Sequence, residues 1–361
     1  MDINRLINEE NVRASLLEPT LSEARLLSLV GKLSSGFTTD RHDLDSYGLS
    51  AEQVSAYTYF YFPTNIPALS YLLDRLPSSL RHELKTSIFM DWGTGPGTYL
   101  VAWARYFSLE KGAKLFAIDQ SPLMLKQAQK VWSNFGAGEI EVCWENPQNI
   151  LTSKRTQLVG TEKKMTLCFG NSMNEMGCQK TLQIIQHLAP DFVIFLEPGT
   201  PAVFKEMLVI RRELTQLGHK NVFPCPESKL SCPMDQSQGH DWCHQIMLTT
   251  HDPSIERLSQ KLHLDRRTRP LLAHVYHRAG DLEKSASARI VRSFPPTKAS
   301  YRFLVCRMGE ECLENIEIEF LIRDTDSPMR KKLDKLRSGD ILNFEMKEAL
   351  TAQKIRAKGL R

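Results

Sequence analysis

The residues of the first half whose types and spacing could do chemistry lie in a glycine-rich loop at 91–97, with the sequence DWGTGPG. Glycines between a strand and a helix let the backbone approach a ligand closely, and the start of the following helix attracts an anionic group. Asp119 stands 22 residues after Gly97, at the end of the next apolar run, where a carboxylate can accept hydrogen bonds from both hydroxyls of a ribose. Loop, helix and acid stand in the expected order and together predict a nucleoside-binding site.

A second group of reactive residues lies in the other half of the chain. Cys225, Cys232 and Cys243 fall within 19 residues, and the first two are each followed by proline. Cys-Pro is frequent at iron–sulfur ligands, because the proline ring stiffens the turn that presents the thiolate. Zinc also accepts thiolates, but its structural sites pair cysteines at tighter spacings of about two to four residues. The spacing therefore predicts a metal centre and favours iron and sulfur over zinc.

The three clustered cysteines need a fourth ligand from elsewhere. Cys306, at the end of an apolar alternating segment, is the first choice, and Cys312 and His244 are the substitutes. The competing interpretation is a set of unrelated buried cysteines, since buried cysteine is common. Three cysteines in an irregular polar loop do not resemble core packing, and this favours a metal centre. Eight cysteines in 361 residues are too few for a disulfide scaffold.

The elements that must position these residues alternate between strands and helices. Short apolar runs predict strands at 87–93, 114–119, 139–144, 165–170 and 191–197. Helical periodicity predicts helices at 99–107, 122–135, 178–188 and 203–218. Such alternation predicts an α/β fold with a parallel sheet and helices on both faces. The near-continuous apolar character of the strands agrees, because both faces of such a sheet are buried.

Three regions are predicted along the chain. They are a helical N-terminal region at 1–85, a nucleoside-binding domain at 86–221 and a cysteine-containing C-terminal region at 222–361. In the last region the regular period fails, strand-like alternation appears at 301–306 and 315–322, and 337–344 is predicted to be a turn that enters another strand. We therefore expect an irregular extension with some strands, and little apolar burial in the stretch between Cys243 and Cys306, so that a metal centre would pin this half to the sheet domain.

The glycine loop resembles that of the class I S-adenosylmethionine-dependent methyltransferases. An acid stands two residues before the first glycine, and the last position of a dinucleotide fingerprint is Thr98 instead of glycine. The resemblance implies a Rossmann-like sheet and S-adenosylmethionine as the cofactor. It implies that the amino-acid end of the cofactor is received by three glycines, namely Gly93, Gly95 and Gly97. It further implies that Asp119 holds the ribose.

The same resemblance assigns three more residues to the cofactor site. Asp91 is expected near the ammonium group, and Glu145 and Asn146 near adenine, with a solvated turn as the alternative for the latter two. No catalytic group is identified. The Asn/Asp-Pro-Pro-aromatic box is missing after the fourth strand, and the Pro-Cys or Thr-Cys pair that carries the nucleophile of cytosine-C5 enzymes is not found there either. Glu197, at the end of the fifth strand, is expected either to orient a substrate or to cap a turn.

Four further segments sharpen the resemblance. LEPGTPAVF, PCPESKLSCP, DWCH and RIVRSFPPTKASYRFLVC together resemble the Rsm22 family, whose animal members are called methyltransferase-like seventeen. The resemblance runs from about residue 57 to 322. The family acts in assembly of the small ribosomal subunit, chiefly mitochondrial with bacterial relatives, and couples a methyltransferase fold to a 4Fe–4S cluster. The resemblance implies four cluster ligands, which are Cys225, Cys232, Cys243 and Cys306.

These resemblances imply an assembly factor that binds rRNA of the small subunit. The alternatives are an active rRNA methyltransferase with a structural cluster, a zinc-bound variant of the same fold and a free-standing oxidoreductase, which lacks a second cofactor signature. Two basic runs, 266–269 and 330–337, are predicted to neutralise RNA phosphates. We expect a monomer that binds neither membrane nor DNA.

The expected location rests on charge and hydropathy. The net charge of +4 is too small to prove a nucleic-acid partner by itself. No apolar run reaches the roughly 18 residues that a membrane span needs. The first 20 residues carry four acids, which is unlike a transit peptide. A bacterial cytoplasm is therefore the first expectation, with the mitochondrial matrix as the alternative.

Overall fold

The computed structural model describes residues 7–38, 50–153, 157, 160, 163–227, 231–235, 241–278 and 288–360. The chain divides into two compact units. The first comprises 1–197 and 247–269, and the second comprises 198–246 and 270–361. Within the described residues, no helix is both long enough and apolar enough to cross a membrane.

Helices open the first unit, as predicted. They are α1 (Glu9–Ala14), α2 (Glu23–Thr38), α3 (Ala51–Asn65), α4 (Pro67–Leu73) and α5 (Ser78–Thr86). Two of them begin at polar side chains that satisfy free backbone donors, because Asn8 Oδ1 accepts from the Asn11 N–H and Ser50 Oγ accepts from the Gln53 N–H. The aromatic helix α3 is buried over most of its length, so it is the central packing element of this region.

Five parallel strands form the sheet of the first unit. They are β1 (Ile88–Trp92), β2 (Lys114–Ile118), β3 (Glu141–Glu145), β4 (Met165–Gly170) and β5 (Phe192–Pro198), in the order β3-β2-β1-β4-β5. The intervening helices are α6 (Thr98–Tyr106), α7 (Pro122–Phe135), α8 (Pro147–Thr152), α9 (Met173–Met176) and α10 (Cys178–Leu188). The five predicted strands are confirmed, and the Rossmann-like order places β1 at its centre.

The strand register brings the predicted site residues to one edge of this sheet. Trp92 at the end of β1 pairs with Ile118 of β2 on one side and Phe169 of β4 on the other, and Ile118 in turn pairs with Glu145. The chain order reverses between β1 and β4, and sheets of this kind bind ligands in a crevice at the carboxyl ends of the strands at that point. The glycine loop and Asp119 follow β1 and β2 directly, so the topology alone delivers them to this crevice.

The second unit is richer in strands than the sequence predicted. After α11 (Pro201–Gln216) come β6 (Lys220–Phe223), β7 (Gln245–Leu248), α12 (Pro253–Lys261, in the first unit) and β8 (Thr268–His277). A six-stranded sheet follows, in the order β12-β9-β10-β11-β14-β13. Its strands are β9 (Ala288–Ser293), β10 (Ser300–Met308), β11 (Leu313–Leu321), β12 (Ile341–Leu342), β13 (Phe344–Thr351) and β14 (Lys354–Leu360), with α13 (Ser327–Leu333) between β11 and β12.

This second sheet has a hydrophobic core of its own. Ile290, Val305, Ile318 and Phe320 are completely buried in one cluster, and burial alternates along β11 as the sequence alternates. The expectation of little apolar burial between Cys243 and Cys306 was therefore an underestimate, since Ile290 and Val305 belong to this cluster and β8 is buried from Leu271 to His277. Several strands were missed because β8 lacks alternation and begins beside a proline, and because β14 is largely basic. A metal centre is consequently not needed to hold the whole region together.

Candidate functional site

The glycine loop has the backbone conformation that the sequence implied. Gly93, Gly95 and Gly97 have φ of +72°, +52° and +80°, which side chains with a Cβ rarely adopt. The Gly93 N–H donates to the carbonyl oxygen of Ile118 at 2.8 Å and so ties the loop to the end of β2. A Cβ on Gly93 would lie 2.5 Å from the Ser172 Cβ. Glycine is therefore required at position 93 by both conformation and space.

Asp119 lies against this loop, as predicted. Its Oδ2 accepts from the Gly95 N–H at 2.9 Å and its Oδ1 accepts from the Ser121 N–H at 2.8 Å. Burial raises the pKa of the carboxyl group, and these two hydrogen bonds oppose the rise. Each carboxylate oxygen retains acceptor capacity beyond its one backbone partner. The carboxylate is thus held rigidly and can accept the hydroxyls of a ribose.

Asp91 is completely buried at the end of β1. Its Oδ2 accepts from the Thr94 hydroxyl at 2.8 Å, whereas its Oδ1 has no hydrogen-bond partner among the described residues. Burial raises the pKa of this carboxyl group to about 7, in spite of the hydrogen bonds from Thr94 and the Leu100 backbone. A buried carboxylate oxygen without a partner is costly. A cationic group of a ligand would relieve that cost.

Glu145 and Asn146, which were predicted to lie near adenine, form hydrogen bonds with their own chain neighbours in α8. Glu145 Oε2 accepts from the Asn149 side-chain amide at 2.9 Å. Asn146 caps α8, and its Oδ1 accepts from the Gln148 N–H at 2.9 Å. Both residues lie at the carboxyl edge of the sheet, next to β2. Their contact with a ligand stays a prediction.

Glu197 acts as a cap, one of the two roles expected for it. The side chain is completely buried, its Oε1 accepts from the Met173 N–H at 3.0 Å and its Oε2 accepts from the Asn174 N–H at 3.2 Å. Both donors lie in the first turn of α9, where backbone N–H groups lack helical partners. Because both carboxylate oxygens bind backbone, the side chain holds the loop after β4 in place.

Sequence reasoning missed Tyr57, which lies near the glycine loop. Tyr57, on α3, would have its Cε1 3.9 Å from a Cβ placed on Gly95. Burial raises its pKa strongly, and the nearby Glu175, Tyr99 and Asp119 raise it further. Tyr57 lies within the predicted helical N-terminal region at 1–85, to which no chemistry was assigned. The signal available in the sequence was the spacing of Tyr57 and Tyr61, which stand one helical turn apart and therefore lie on the same face of α3. In the structure the centres of their rings lie 4.8 Å apart.

Only part of the first basic run is exposed, which corrects the prediction for Arg269. Arg269 is only 7% exposed, and its guanidinium donates to the Thr64 carbonyl. Burial lowers its pKa to about 10. Arg266 lies 5.0 Å from the centre of the Tyr61 ring. Arg267 is exposed but forms ion pairs with acidic neighbours. Tertiary packing has turned two of these three cations inward.

The four predicted cysteine ligands lie within electrostatic range of one another in the second unit. Burial, with the neighbouring Cys225 and Cys232 thiols, raises the pKa of Cys243 to about 12. Burial and the other three thiols raise the pKa of Cys306 as well. All four are described as free cysteines, and Cys306 is the most buried of them. Cys312 is exposed, in the turn between β10 and β11.

Buried polar groups hold this cysteine cluster, which consists of Cys225, Cys232, Cys243 and Cys306. The Cys225 N–H donates to Asn221 Oδ1 at 3.0 Å, at the end of β6. Cys306 stands opposite Arg289 in the β10–β9 pair. Arg289 donates to the carbonyl oxygens of Pro224 and Gly339. Arg289 and Arg211 are 6% and 5% exposed, and their positive charges partly oppose the rise in the pKa of Cys243.

The donor set of this cluster is four thiols, which both an iron–sulfur group and a zinc ion accept. Among the described residues, no three His, Cys, Asp or Glu side chains are placed to hold one metal ion. With four thiolates an iron–sulfur group has net negative charge. The two buried arginines would offset that charge.

Comparison with known proteins gives one family and several distant structures. The family model described as mitochondrial small ribosomal subunit Rsm22 matches residues 51–318. No curated protein matches the chain. Among solved structures, NSun6 from Pyrococcus horikoshii has 12% identity and a TM-score of 0.36, over 61% of this chain and 52% of that one. A SAM-dependent methyltransferase from Aquifex aeolicus has 19% identity and a TM-score of 0.32, over 46% and 93%. The 16S rRNA methylase ArmA has 9% identity and a TM-score of 0.34, over 67% and 98%.

The family match covers the features that carry chemistry. Residues 51–318 include the whole α/β sheet of the first unit, the glycine loop with Asp119 and all four cysteines of the cluster. The match extends over well more than half of the 361 residues. The chain belongs to the Rsm22 family, described as a mitochondrial small ribosomal subunit family.

Proposed function

We propose that this protein is an assembly factor of the small ribosomal subunit, that it binds rRNA and that it promotes translation by doing so. The family match over residues 51–318 carries this proposal, since the description of the family names the small ribosomal subunit. A methyltransferase-type fold with a ligand-binding crevice and a separate basic surface is compatible with it. The protein acts as a monomer and binds neither membrane nor DNA.

In this proposal the crevice of the first unit binds S-adenosylmethionine. The glycine loop receives the amino-acid end of the cofactor, Asp119 accepts hydrogen bonds from the ribose, and the buried Oδ1 of Asp91 faces the ammonium group. Tyr57 covers the loop from α3 and excludes water from it, because its ring is packed near Gly95. The bound cofactor would supply an electrophilic methyl group.

The titration of Asp91 makes affinity for S-adenosylmethionine depend on pH. Its carboxyl pKa is raised to about 7 without ligand, and a cation beside it favours the ionised form. Binding therefore releases a proton, and affinity should rise with pH on the order of tenfold between pH 5.5 and 7. Calorimetric titration measures this. Asp91→Asn should bind more weakly with a much flatter pH profile, and an equally steep profile would assign the titration to another group, such as Asp119.

The cysteine cluster holds a 4Fe–4S group in this proposal, through Cys225, Cys232, Cys243 and Cys306. Bound there, the group would cross-link the segment after β6 to strand β10. Binding free energy then becomes folding free energy for that segment, as in other metal sites. Because the six-stranded sheet has its own core, we expect loss of the group to loosen the segment 225–243 more than the sheet.

An active rRNA methyltransferase is the second candidate. Glu197 caps α9 through both carboxylate oxygens, and no other group is assigned as a base, so the assembly role is preferred. Transfer of tritiated methyl groups to pre-ribosomal RNA separates the two. Binding of S-adenosylmethionine without transfer supports the assembly role, and stoichiometric transfer to one nucleotide establishes the enzyme.

The second basic run supplies the proposed RNA-binding surface. Lys331, Lys332 and Lys335 are exposed on α13 and just after it. Arg330 is excluded from this surface, because its guanidinium donates to the Ile322 and Thr325 carbonyls. Exposed lysines neutralise phosphates and release counterions, which gives affinity that depends on salt and not on sequence.

The double variant Lys331→Glu/Lys332→Glu should therefore weaken binding to the small subunit. Each phosphate contact contributes about 0.7–0.9 to the salt slope, so the slope of log affinity against log salt should fall by roughly 1–2. Co-sedimentation with subunits across a salt series measures it. The matched control is Lys85→Glu/Lys126→Glu, which changes net charge equally at exposed positions in the first unit. Equal slopes in both variants would remove α13 from the interface.

The family description supports one of the two expected compartments. A family described as mitochondrial favours the mitochondrial matrix, the alternative location in the sequence-based prediction, over a bacterial cytoplasm. Fractionation of cells that express the tagged full-length chain tests this.

A further inference from the structure

A cavity of about 420 Å³ opens on the second unit, beside the cysteine cluster. Its walls include Trp242 and His244, which flank Cys243 in the chain, and Arg292 and Arg337, which are exposed. This volume lies within the range of about 300–1,000 Å³ for small-molecule sites. The cavity therefore has room for one planar ring system and lies apart from the glycine loop in the chain.

The aromatic wall of this cavity is held in place by hydrogen bonds. The Trp242 and His244 rings stack with their centres 5.0 Å apart and a tilt of 27°. The Trp242 indole N–H donates to the Gly199 carbonyl at 2.9 Å, and His244 Nδ1 lies 3.0 Å from the Trp242 carbonyl oxygen. Both rings are half-buried. A rigid, partly exposed aromatic pair offers a stacking platform without the entropic cost of ordering it.

The rim of the cavity is polar and mostly cationic. Arg292 pairs with Asp241 at 3.1 Å and remains half exposed. Arg337 donates to the carbonyl oxygens of Asp334 and Leu336, at 2.6 and 2.9 Å, which fixes its guanidinium at the edge. Lys335 lies two residues before Arg337 and is exposed. The rim thus joins the cavity to the basic surface on α13.

We propose that this cavity binds one unpaired nucleobase of an RNA strand, an inference that rests on the proposed rRNA-binding function. The base stacks on the Trp242–His244 pair, because every base has a π-face that aromatic side chains accept. Arg337 and Arg292 lie where the flanking phosphates would be. The Asp241 carboxylate can accept an N–H group from the edge of the base. Paired bases in a duplex cannot enter, so the site selects single-stranded RNA.

The position of the aromatic pair links this site to the cysteine cluster. Trp242 and His244 are the two chain neighbours of Cys243, so a group bound to Cys243 fixes the backbone that carries both rings. RNA affinity should accordingly depend on occupancy of the cluster. The RNA affinity of each Trp242 variant must therefore be compared at equal iron content.

The test uses the full chain, purified anaerobically, and a fluorescein-labelled ten-nucleotide single-stranded RNA in anisotropy titrations. Trp242→Ala should bind at least about fivefold more weakly, the effect of losing one stacked base. Trp242→Phe keeps a ring and should stay within about twofold of the wild type. Iron per chain must be equal in the three proteins. An RNA in which the bases are replaced by abasic sites should bind the wild type and Trp242→Ala with the same weak affinity.

Two outcomes would overturn the inference. Equal affinity of Trp242→Ala and wild type, while Lys331→Glu/Lys332→Glu loses binding, would leave the rRNA-binding function intact and remove the base pocket. Equal binding of abasic and normal RNA by the wild type would show that the backbone alone is recognised. If wild-type protein binds neither the RNA nor small subunits, the proposed function itself fails.

Discussion

Replacement of Cys306 by serine is expected to abolish binding of the proposed 4Fe–4S group, whereas Cys312→Ser should leave binding unchanged. Cys306 lies on β10, is 9% exposed and is close enough to Cys225, Cys232 and Cys243 for each of them to raise its pKa. Cys312, six residues later, is exposed in a turn. A serine hydroxyl is a far poorer ligand for iron than a thiolate, so loss of one of four ligands exposes the group to solvent and oxidation.

Iron content and visible absorption of anaerobically purified protein measure this prediction. We expect about four iron atoms per chain in the wild type and in Cys312→Ser, and close to none in Cys306→Ser. Limited proteolysis should then show faster cleavage within 225–243 in Cys306→Ser, with the six-stranded sheet retained because its own core is intact. Full iron loading of Cys306→Ser would contradict the prediction and indicate Cys312 or His244 as the fourth ligand. Zinc in place of iron in the wild type would support the zinc-bound variant.

The second large effect is expected for Gly93→Ala. The added methyl group would lie 2.5 Å from the Ser172 Cβ, at a φ of +72°. The left-handed conformation costs about 1–2 kcal/mol and overpacking about 1–3 kcal/mol, so unfolding free energy should fall by about 2–5 kcal/mol. Relief of the clash must move the loop or Ser172, which binds the Trp92 carbonyl at 2.6 Å. Affinity for S-adenosylmethionine should fall at least tenfold.

Gly112→Ala is the matched control for this substitution. Gly112 has a φ of +95° with nothing within 4 Å of the added methyl group, so it should lose about 1–2 kcal/mol of stability and keep its affinity for S-adenosylmethionine. Calorimetric titration and denaturant unfolding report the two quantities separately. Asp119→Ala removes the proposed ribose contact without a clash and keeps the site testable if Gly93→Ala is insoluble. Wild-type affinity in both Gly93→Ala and Asp119→Ala would place the ligand elsewhere.

The sequence by itself determined the α/β sheet, the family and the position of the glycine loop. Each of these depends on local patterns, namely apolar runs such as 192–196, positive-φ glycines and an acid at the end of β2. Continuous apolar runs mark these strands, because both faces of a parallel strand are buried. Cys225, Cys232 and Cys243 could be grouped from their spacing in the chain, whereas Cys306 as the fourth ligand, with Cys312 and His244 as substitutes, stays a prediction.

Only the tertiary structure decided which of the charged residues are available to a partner. Arg269 and Lys332 belong to similar basic runs, yet Arg269 is buried and Lys332 is exposed. Burial depends on which distant elements pack against a side chain, as when Thr64 accepts from Arg269 across 205 residues of sequence. The same holds for Tyr57 beside Gly95. Such contacts form between segments far apart in the chain, and local periodicity has no information about them.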